Sequence, residues 1–382
     1  MRAAAAEGIL PAAMAKQGGQ QPTLAEMLRE RTVKGELCVQ LEEGKVRCHA
    51  CGHRCTIPEG SAGICLVRFN RDGVLRVPHG YVAGLQCDPI EKKPFYHGLP
   101  GTQALSFGML GCDYHCQFCQ NRISSQALRD PIAVAQPEDV KAEQVVSMAR
   151  QMGARSVSST YNEPLITSEW AVEIFKKARK AGLHTSYVSN GNATPEVLDY
   201  LRPWLDLYKV DLKGFRDRPY RELGGVLKTV LDTIVGLVDR GFWVEVVTLV
   251  VPGRNDSDEE LRDIAKFLAG VSPDIPWHVT AFHPDYQMTD RERTPAQRIL
   301  RACEIGRKAG LRYVYGGNLP GGVGEWENTP CPGCGKFVIE RRGFRVLANR
   351  LRDGACPDCG AKVAGFWDGL LVPAERKAKS AK

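Results

Sequence analysis

The sequence lacks long apolar runs and a strong excess of charge of one sign. None of its 382 residues lies in a stretch of about 18 consecutive apolar residues, so no transmembrane helix is predicted. Pro11 interrupts the few apolar residues near the N-terminus, which argues against a secretory signal. The net charge of +7 is mild and does not require nucleic acid, which is not an expected partner. We therefore expect a cytoplasmic protein with reduced thiols and no membrane partner.

Cysteine, in contrast, is abundant: there are fourteen, and eleven of them fall into three groups. The groups are Cys48, Cys51, Cys55 and Cys65; Cys112, Cys116 and Cys119; and Cys331, Cys334, Cys356 and Cys359. Cys38, Cys87 and Cys303 stand alone. We expect Cys303 to lie on a helix and to be part of the hydrophobic core. Spacings of two or three residues within the groups suit metal ligands better than disulfides in a chain of this size.

Between residues 104 and 316, seven strand-like segments alternate with helix-like segments. Strands separated by helices pair in parallel through right-handed crossovers, as in doubly wound sheets and in (β/α) barrels. Polar motifs follow each of the seven predicted strands. Strand ends from one barrel surround one ligand, whereas an open sheet uses the loops near its switch point. We therefore predict an α/β fold built on a partial (β/α) TIM-like barrel.

The predicted organisation has five parts. An N-terminal segment begins with about 22 residues that we expect to be disordered. The parts are this segment (1–30), a cysteine-rich metal module (31–95), the barrel (96–325), a zinc-ribbon module (326–372) and a basic tail (373–382).

The loop "GCDYHCQFCQN" (111–121) holds three cysteines, Cys112, Cys116 and Cys119, with no fourth cysteine nearby. Zinc ribbons and ferredoxin clusters usually close their coordination with four ligands. Three thiolates on a cubane cluster leave one iron open to an external ligand. The alternative is a zinc site or a structural cluster with a distant fourth ligand.

The C-x3-C-x2-C spacing, with the aromatic Phe118 before the last cysteine, resembles the motif of the radical SAM superfamily. The resemblance implies a [4Fe–4S] cluster that binds S-adenosylmethionine (SAM) and cleaves it reductively to a 5′-deoxyadenosyl radical. It also implies a reductant such as flavodoxin or ferredoxin. The protein would position and shield this chemistry, and no single catalytic residue is assigned.

Two motifs resemble strand ends of the enzymes that activate glycyl radical proteins: "STYNEP" (159–164) and "VSNGN" (188–192). The first ends in Glu-Pro like the family's Gly-Gly-Glu-Pro stretch, but it lacks the glycines. The resemblance implies that Asn162 and Glu163 accept hydrogen bonds from the SAM ammonium. It implies that Ser189 and Asn190 face the ribose or methionine part of SAM, although Asn190 with Gly191 also suits a plain turn.

Two more motifs resemble the same enzymes: "KVDLKG" (209–214) and "AFHPD" (281–285). They imply that Asp211 binds SAM or a monovalent cation, that Lys213 pairs with the SAM carboxylate, and that His283 lies near SAM. The alternatives are a surface pair between Asp211 and Lys213 and a loop histidine at His283.

A longer resemblance is to the AmmeMemoRadiSam system radical SAM enzymes, relatives of the pyruvate formate-lyase activating enzymes. It covers about residues 38–370 and includes "CDPIEKKPFYHGLPGT", "CQFCQN", "TYNEP" and "GNLPGG". It implies hydrogen abstraction from an unidentified substrate, either a protein residue, as in glycyl radical activation, or a small molecule. The competing hypothesis is a non-enzymatic binding module that uses a basic, arginine-containing ribbon on nucleic acid or protein.

The two flanking cysteine groups have different spacings. Cys331, Cys334, Cys356 and Cys359 form two C-x2-C knuckles, the pattern of a four-cysteine zinc ribbon. Cys48, Cys51, Cys55 and Cys65 have the spacing C-x2-C-x3-C-x9-C, with His49 and His53 as further candidate zinc ligands. This second set suits zinc or an auxiliary [4Fe–4S] cluster, and the closed count of four thiolates slightly favours zinc.

Overall fold

The computed structural model describes residues 22–133 and 135–376. The prediction of a disordered start therefore lies mostly outside the described residues. The described end of that segment is a helix, α1 (Leu24–Glu30). Thr23 and Glu26 form a capping box at its start, which explains why this part of the 1–30 segment is helical. Within the described ranges, no helix is long and apolar enough to cross a membrane.

The N-terminal module consists of short strands in two small antiparallel sheets. The strands are β1 (Thr32–Lys34), β2 (Cys38–Gln40), β3 (Val46–Cys48), β4 (Thr56–Ile57), β5 (Phe69–Arg71), β6 (Val74–Pro78) and β7 (Tyr81–Val82). The sheets have the orders β1-β6-β5 and β2-β3-β4. Strand β7 pairs instead with Glu138–Asp139, in a later loop.

The central sheet has eight strands, and the last seven are the seven predicted from the sequence. They are β8 (Gly84–Pro89), β9 (Gln103–Gly108), β11 (Ala154–Ser159), β12 (His184–Ser189), β13 (Leu207–Asp211), β14 (Trp243–Val250), β15 (Trp277–Ala281) and β16 (Val314–Gly317), with β10 (Glu138–Asp139) outside the sheet. Strands β9 and β11 to β16 pair in parallel in chain order, and β8 adds to β9 antiparallel. The order β8-β9-β11-β12-β13-β14-β15-β16 leaves the sheet open at β8 and β16, so the predicted partial barrel is confirmed.

Helices connect the strands of the barrel. They are α2 (Arg122–Ser125), α3 (Ala142–Gln151), α4 (Ser168–Lys180), α5 (Pro195–Leu201), α6 (Asp217–Glu222), α7 (Leu227–Asp239), α8 (Asp258–Val271) and α9 (Ala296–Lys308). Short 3₁₀ turns occupy Glu42–Gly44, Ile90–Lys92, Pro164–Thr167 and Gly324–Glu327.

The predicted helix caps are present, with one difference. Thr194 caps α5 by accepting a hydrogen bond from the backbone N–H of Val197. Ser257 caps α8 by accepting from the N–H of Glu260, but the reciprocal half of the predicted capping box is missing. The Glu260 carboxylate accepts instead from the N–H of Phe215, at 2.6 Å, in the loop after β13. A tertiary contact has replaced the local one.

The C-terminal module packs between the two open edges of the barrel. Its strands are β17 (Thr329–Pro330), β18 (Phe337–Arg342), β19 (Arg345–Asn349), β20 (Gly365–Trp367) and β21 (Leu370–Val372). Tyr315 of edge strand β16 hydrogen-bonds Thr329, and Arg341 donates to the carbonyl of Tyr96, in the segment after β8. Arg341 is buried beside Glu91 and does not belong to a basic outer surface.

Glu245 organises the interior at this junction. Its fully buried carboxylate accepts hydrogen bonds from the N–H groups of Tyr96 and His97, the indole of Trp243 and the imidazole of His278, at 2.7 to 3.0 Å. Burial lowers the pKa of His278, and the adjacent carboxylate opposes that effect. The partner residues come from β14, β15 and the segment after β8.

We predict that Glu245→Ala destabilises the protein by about 3 kcal/mol or more, because several buried donors lose their acceptor at once. Urea unfolding of the variant and the wild type measures the difference. The matched control is Glu259→Ala, at a side chain that is 78% exposed on α8. Equal stability of the Glu245 variant and the wild type would contradict the central role of this carboxylate.

Candidate active site at the carboxyl ends of the barrel strands

A cavity of about 420 Å³ lies at the carboxyl ends of the barrel strands. Every parallel strand contributes a residue to its wall, from its end or from the loop that follows. These residues include Cys112, Cys116 and Cys119 after β9, Asn162 and Glu163 after β11, Asn190 after β12, Asp211 and Lys213 at β13, Leu249 of β14, Thr280 of β15 and Asn318 after β16. A ligand in this cavity would be surrounded by the whole barrel.

The loop after β9 presents the three thiols to this cavity. Gly111 makes the turn with φ of 94°, and a Cβ atom there would lie 2.9 Å from Val67, so only glycine fits. Arg129 holds the loop by donating to the carbonyl of Cys112 at 2.8 Å. Burial raises the pKa of Cys116 to about 12. At neutral pH this thiol is therefore protonated.

Glu163 is buried, and neutral groups bond both of its oxygens. It accepts from the hydroxyl of Ser189 at 2.7 Å, from the N–H of Asn190 at 2.7 Å and from the N–H of Leu165 at 3.1 Å. Burial and the nearby Asp113 carboxylate raise the pKa of Glu163 to about 8, against these three hydrogen bonds. Among the described residues, its hydrogen bonds therefore all come from neutral groups.

Asp113, between two of the cysteines, is a site residue that the sequence analysis missed. Its side chain is fully buried, and its two oxygens accept from the amides of Asn190 and Asn192, each at 2.8 Å. The imidazole Nε2 of His53 lies 3.9 Å from one of these oxygens, Oδ2. Only its place inside "GCDYHC" could have indicated a role. Asp113 does not line the cavity itself, but it holds Asn190, which does.

Lysine side chains lie on the wall formed by β13. Lys209 and Lys213 both donate to the carboxylate of Asp211, one to each oxygen. Burial lowers the pKa of Lys213, but the attraction of Asp211 outweighs it and the net pKa is raised. Both oxygens of Asp211 therefore bond ammonium groups, and the monovalent cation at Asp211 stays a prediction. The sequence analysis did not predict Lys209 as a site residue. The signal was its spacing, because every second residue of a strand points to the same face, and Lys209 lies two residues before Asp211.

The structure brings together five of the seven predicted SAM contacts. Asn162, Glu163, Asn190, Asp211 and Lys213 line the cavity. Ser189 lies behind the wall, where its hydroxyl supports Glu163. His283 is 44% exposed and reaches the cavity only through Gln120, whose amide nitrogen lies 3.1 Å from its Nδ1.

The three cysteine groups differ in how closely their sulfurs approach. In the ribbon, Sγ distances are 3.5 Å between Cys331 and Cys359 and 3.8 Å between Cys334 and Cys356. A tetrahedral zinc site with Zn–S bonds of about 2.3 Å has S···S edges of about 3.8 Å. Among the described residues, this is the only group of three or more potential metal ligands whose atoms all lie within 4.8 Å of one another. The ribbon is therefore arranged for one metal ion.

The chain matches known proteins over its barrel and beyond. The model of the Radical SAM superfamily matches residues 108–268. An uncharacterised protein of Methanocaldococcus jannaschii is 37% identical over 328 residues, which cover 85% of this chain and 96% of that protein. The pyruvate formate-lyase 1-activating enzyme of Escherichia coli (strain K12) is 28% identical over 227 residues, 57% of this chain and 91% of that enzyme. A solved radical SAM methyltransferase from Sphaerobacter thermophilus has a TM-score of 0.45 and 16% identity, over 75% of this chain and 78% of that chain.

The family accounts for the thiol loop and for the cavity beside it. SAM and a [4Fe–4S] cluster are the cofactors that the superfamily implies, and radical chemistry is its reaction type. The alternative of a non-enzymatic binding module is wrong, because both the family and the activating-enzyme relative are enzymes. The chain belongs to the radical SAM superfamily, as an enzyme related to the pyruvate formate-lyase activating enzymes.

Proposed function

We propose that Cys112, Cys116 and Cys119 hold the [4Fe–4S] cluster at which this enzyme binds SAM and cleaves it. When bound, the cluster and SAM supply a 5′-deoxyadenosyl radical that takes a hydrogen atom from the substrate. The observation that carries the proposal is the set of three thiols in the wall of a cavity to which all seven parallel strands contribute. The protein's own share is to bind, orient and shield.

The charges around the cavity suit the two ends of SAM. Glu163 is a buried carboxylate in the cavity wall whose hydrogen bonds all come from neutral groups, and the ammonium of SAM would supply a cationic partner. Lys213, which follows β13, also lines the cavity and would pair with the SAM carboxylate. Asn162 and Asn190 offer neutral polar groups between these two ends. Ser189 would act indirectly, through Glu163, and His283 through Gln120.

The substrate would enter through the mouth at the strand ends. The C-terminal module occupies the side of the barrel between β16 and the segment after β8, and its Phe344 lines the cavity. This favours a small molecule or one extended peptide segment over a folded surface entering from the side. The name of the Escherichia coli relative supports a protein residue as the hydrogen donor. Lys92 and Lys93 in the lining favour an anionic group on the substrate.

Two further components complete the proposal. A low-potential one-electron donor such as flavodoxin or ferredoxin would reduce the cluster, in a cytoplasmic setting that keeps the thiols reduced. Zinc would occupy the ribbon, because the S···S distances of 3.5 and 3.8 Å match one tetrahedral ion.

The first test of the proposal replaces one of the three thiols. Cys116→Ala should lose iron after anaerobic reconstitution, and its 5′-deoxyadenosine production from SAM and dithionite should fall to the level without enzyme. Cys87→Ala, at a lone cysteine on β8, is the matched control and should behave as wild type. Undiminished 5′-deoxyadenosine from the Cys116 variant would sink the assignment.

The second test uses the raised pKa of Glu163, about 8. Below that pH the side chain is mostly protonated and must lose its proton to pair with the SAM ammonium, so SAM binding should tighten steeply as pH rises toward 8 and more gradually above it. Equilibrium dialysis of the cluster-loaded enzyme from about pH 6.5 to about pH 8.5 measures this. Glu163→Gln should bind SAM more weakly and without this dependence. The same slope in the variant would refute the role of Glu163.

The third test concerns the ribbon. We expect one zinc per chain in the wild type, and its loss in a Cys334→Ser/Cys359→Ser variant, since both thiols are exposed and carry little packing. Metal analysis by mass spectrometry gives the count, and limited proteolysis reports whether the segment opens. Cys87→Ala should keep its zinc. A double serine variant that retains full zinc would rule out this site.

A further inference from the structure

A second group of thiols is buried in the N-terminal module. Cys48, Cys51 and Cys65 are each less than 7% exposed, and Cys55 is half-buried. The N–H of Cys48 donates to the carbonyl of Cys55 at 2.9 Å, which folds this stretch back on itself. Burial raises the pKa of Cys51, Cys55 and Cys65, and the neighbouring Cys48 adds to each rise. The four thiols therefore lie close enough to influence one another.

The spacing of these sulfurs differs from that in the ribbon. No three potential ligands among the described residues of this module have their atoms all within 4.8 Å of one another. Four thiolates around one zinc ion would have S···S distances of about 3.8 Å, well inside that limit. In a cubane each thiolate binds a different iron, so the sulfurs stand farther apart. The geometry thus favours a cluster over the zinc ion that the thiolate count alone had favoured.

A buried cation lies beside the same thiols. Arg68 is 1% exposed, and its two terminal nitrogens bond Glu169, each at 2.7 Å. Its Nε is buried and has no hydrogen-bond partner. The carbonyl of Arg68 accepts from the N–H of Gly63 at 2.8 Å, which places Arg68 in the loop that carries Cys65. Buried N–H groups are almost always hydrogen-bonded, and the sulfur atoms of a cluster can accept such a bond.

The module is built directly onto the loop of the active site. Gly52 donates to the carbonyl of Asn192 at 2.7 Å, and Asn192 in turn binds Asp113. Arg129 bridges the carbonyls of Ile64 and Cys112, at 2.5 and 2.8 Å. Asn192 and Arg129 therefore each bond both cysteine loops.

We propose that Cys48, Cys51, Cys55 and Cys65 hold a second, closed [4Fe–4S] cluster, with the buried Nε–H of Arg68 as its hydrogen-bond donor, adjacent to the loop of Cys112. A one-electron donor of the flavodoxin or ferredoxin class would reduce the cluster and would accept the electron again when the cluster is reoxidised, with no bond made or broken. Four thiolates make the oxidised cluster anionic, and the electron adds to that charge. Because Glu169 already balances the charge of the guanidinium, Arg68 acts through its Nε–H, and a hydrogen bond to cluster sulfur favours the reduced form.

The test removes the first cluster and keeps the second. The full chain with Cys112→Ala, Cys116→Ala and Cys119→Ala, reconstituted anaerobically with iron and sulfide, should retain about four irons per chain and the absorption of a [4Fe–4S] cluster. Adding Cys51→Ser and Cys65→Ser should remove that iron, whereas adding Cys87→Ser, at a thiol on β8 outside this module, should not. Circular dichroism and ribbon zinc check that each variant folds.

Other outcomes would overturn the proposal. Two zinc ions per chain with no iron would assign the site to zinc, and a folded triple variant without iron would show that no cluster binds there. Neither result bears on 5′-deoxyadenosine production by the wild type, so the proposed function stands or falls separately.

A second measurement isolates Arg68. In the triple-alanine background, Arg68→Met with Glu169→Gln removes both members of the buried pair and leaves no lone charge. A redox titration followed by electron paramagnetic resonance should give a lower midpoint potential than in the parent. Glu169→Gln alone, which keeps the Nε–H of Arg68, should not lower the potential. An unchanged potential in the double variant would remove the role of Arg68 as a donor to the cluster.

Discussion

The buried carboxylate of Asp113 is the contact on which the arrangement of the site depends. It joins the thiol loop after β9 to the end of β12 through Asn190 and Asn192. Asn192 also meets Gly52, where a Cβ atom would lie 2.4 Å from its amide oxygen. Three parts of the chain that are far apart in sequence therefore meet at Asn192, which accepts from the N–H of Gly52 and donates to Asp113. Since a buried carboxylate without its donors is costly, the three parts hold their positions together.

The cavity separates its charges. One buried carboxylate, Glu163, follows β11, and two lysines with one aspartate lie at the end of β13 and just after it. A ligand with an ammonium and a carboxylate on one carbon can satisfy both sides at once, whereas a simple anion or cation satisfies only one. The walls also come from rigid strand ends, which hold polar groups more steadily than long loops do. This separation orients the ligand before any reaction begins.

Periodic patterns and spacing predicted the fold well and the site in part. The seven strands, the caps at Thr194 and Ser257 and the tight ribbon were all visible, because each depends on residues near one another in sequence. Asp113, Lys209 and Arg68 were not recognised, because their partners lie in other elements and burial alone gives them meaning. Glu260 shows the same limit. The local motif predicts that its carboxylate accepts from the N–H of Ser257, but it accepts from the N–H of Phe215. Cysteine spacing likewise indicated a metal site at Cys48 to Cys65 without distinguishing one ion from a cluster.

The position of the ribbon has a consequence for the order of assembly. Every strand of the barrel precedes residue 326 in the chain, and the module that covers the barrel's side follows it. During synthesis the strands leave the ribosome first, and the side wall with Phe344 arrives last. The cavity beside the thiol loop is therefore open on this side until the C-terminal module docks on Tyr96 and Tyr315. The proposed cluster would be easiest to load from this side, before the module docks.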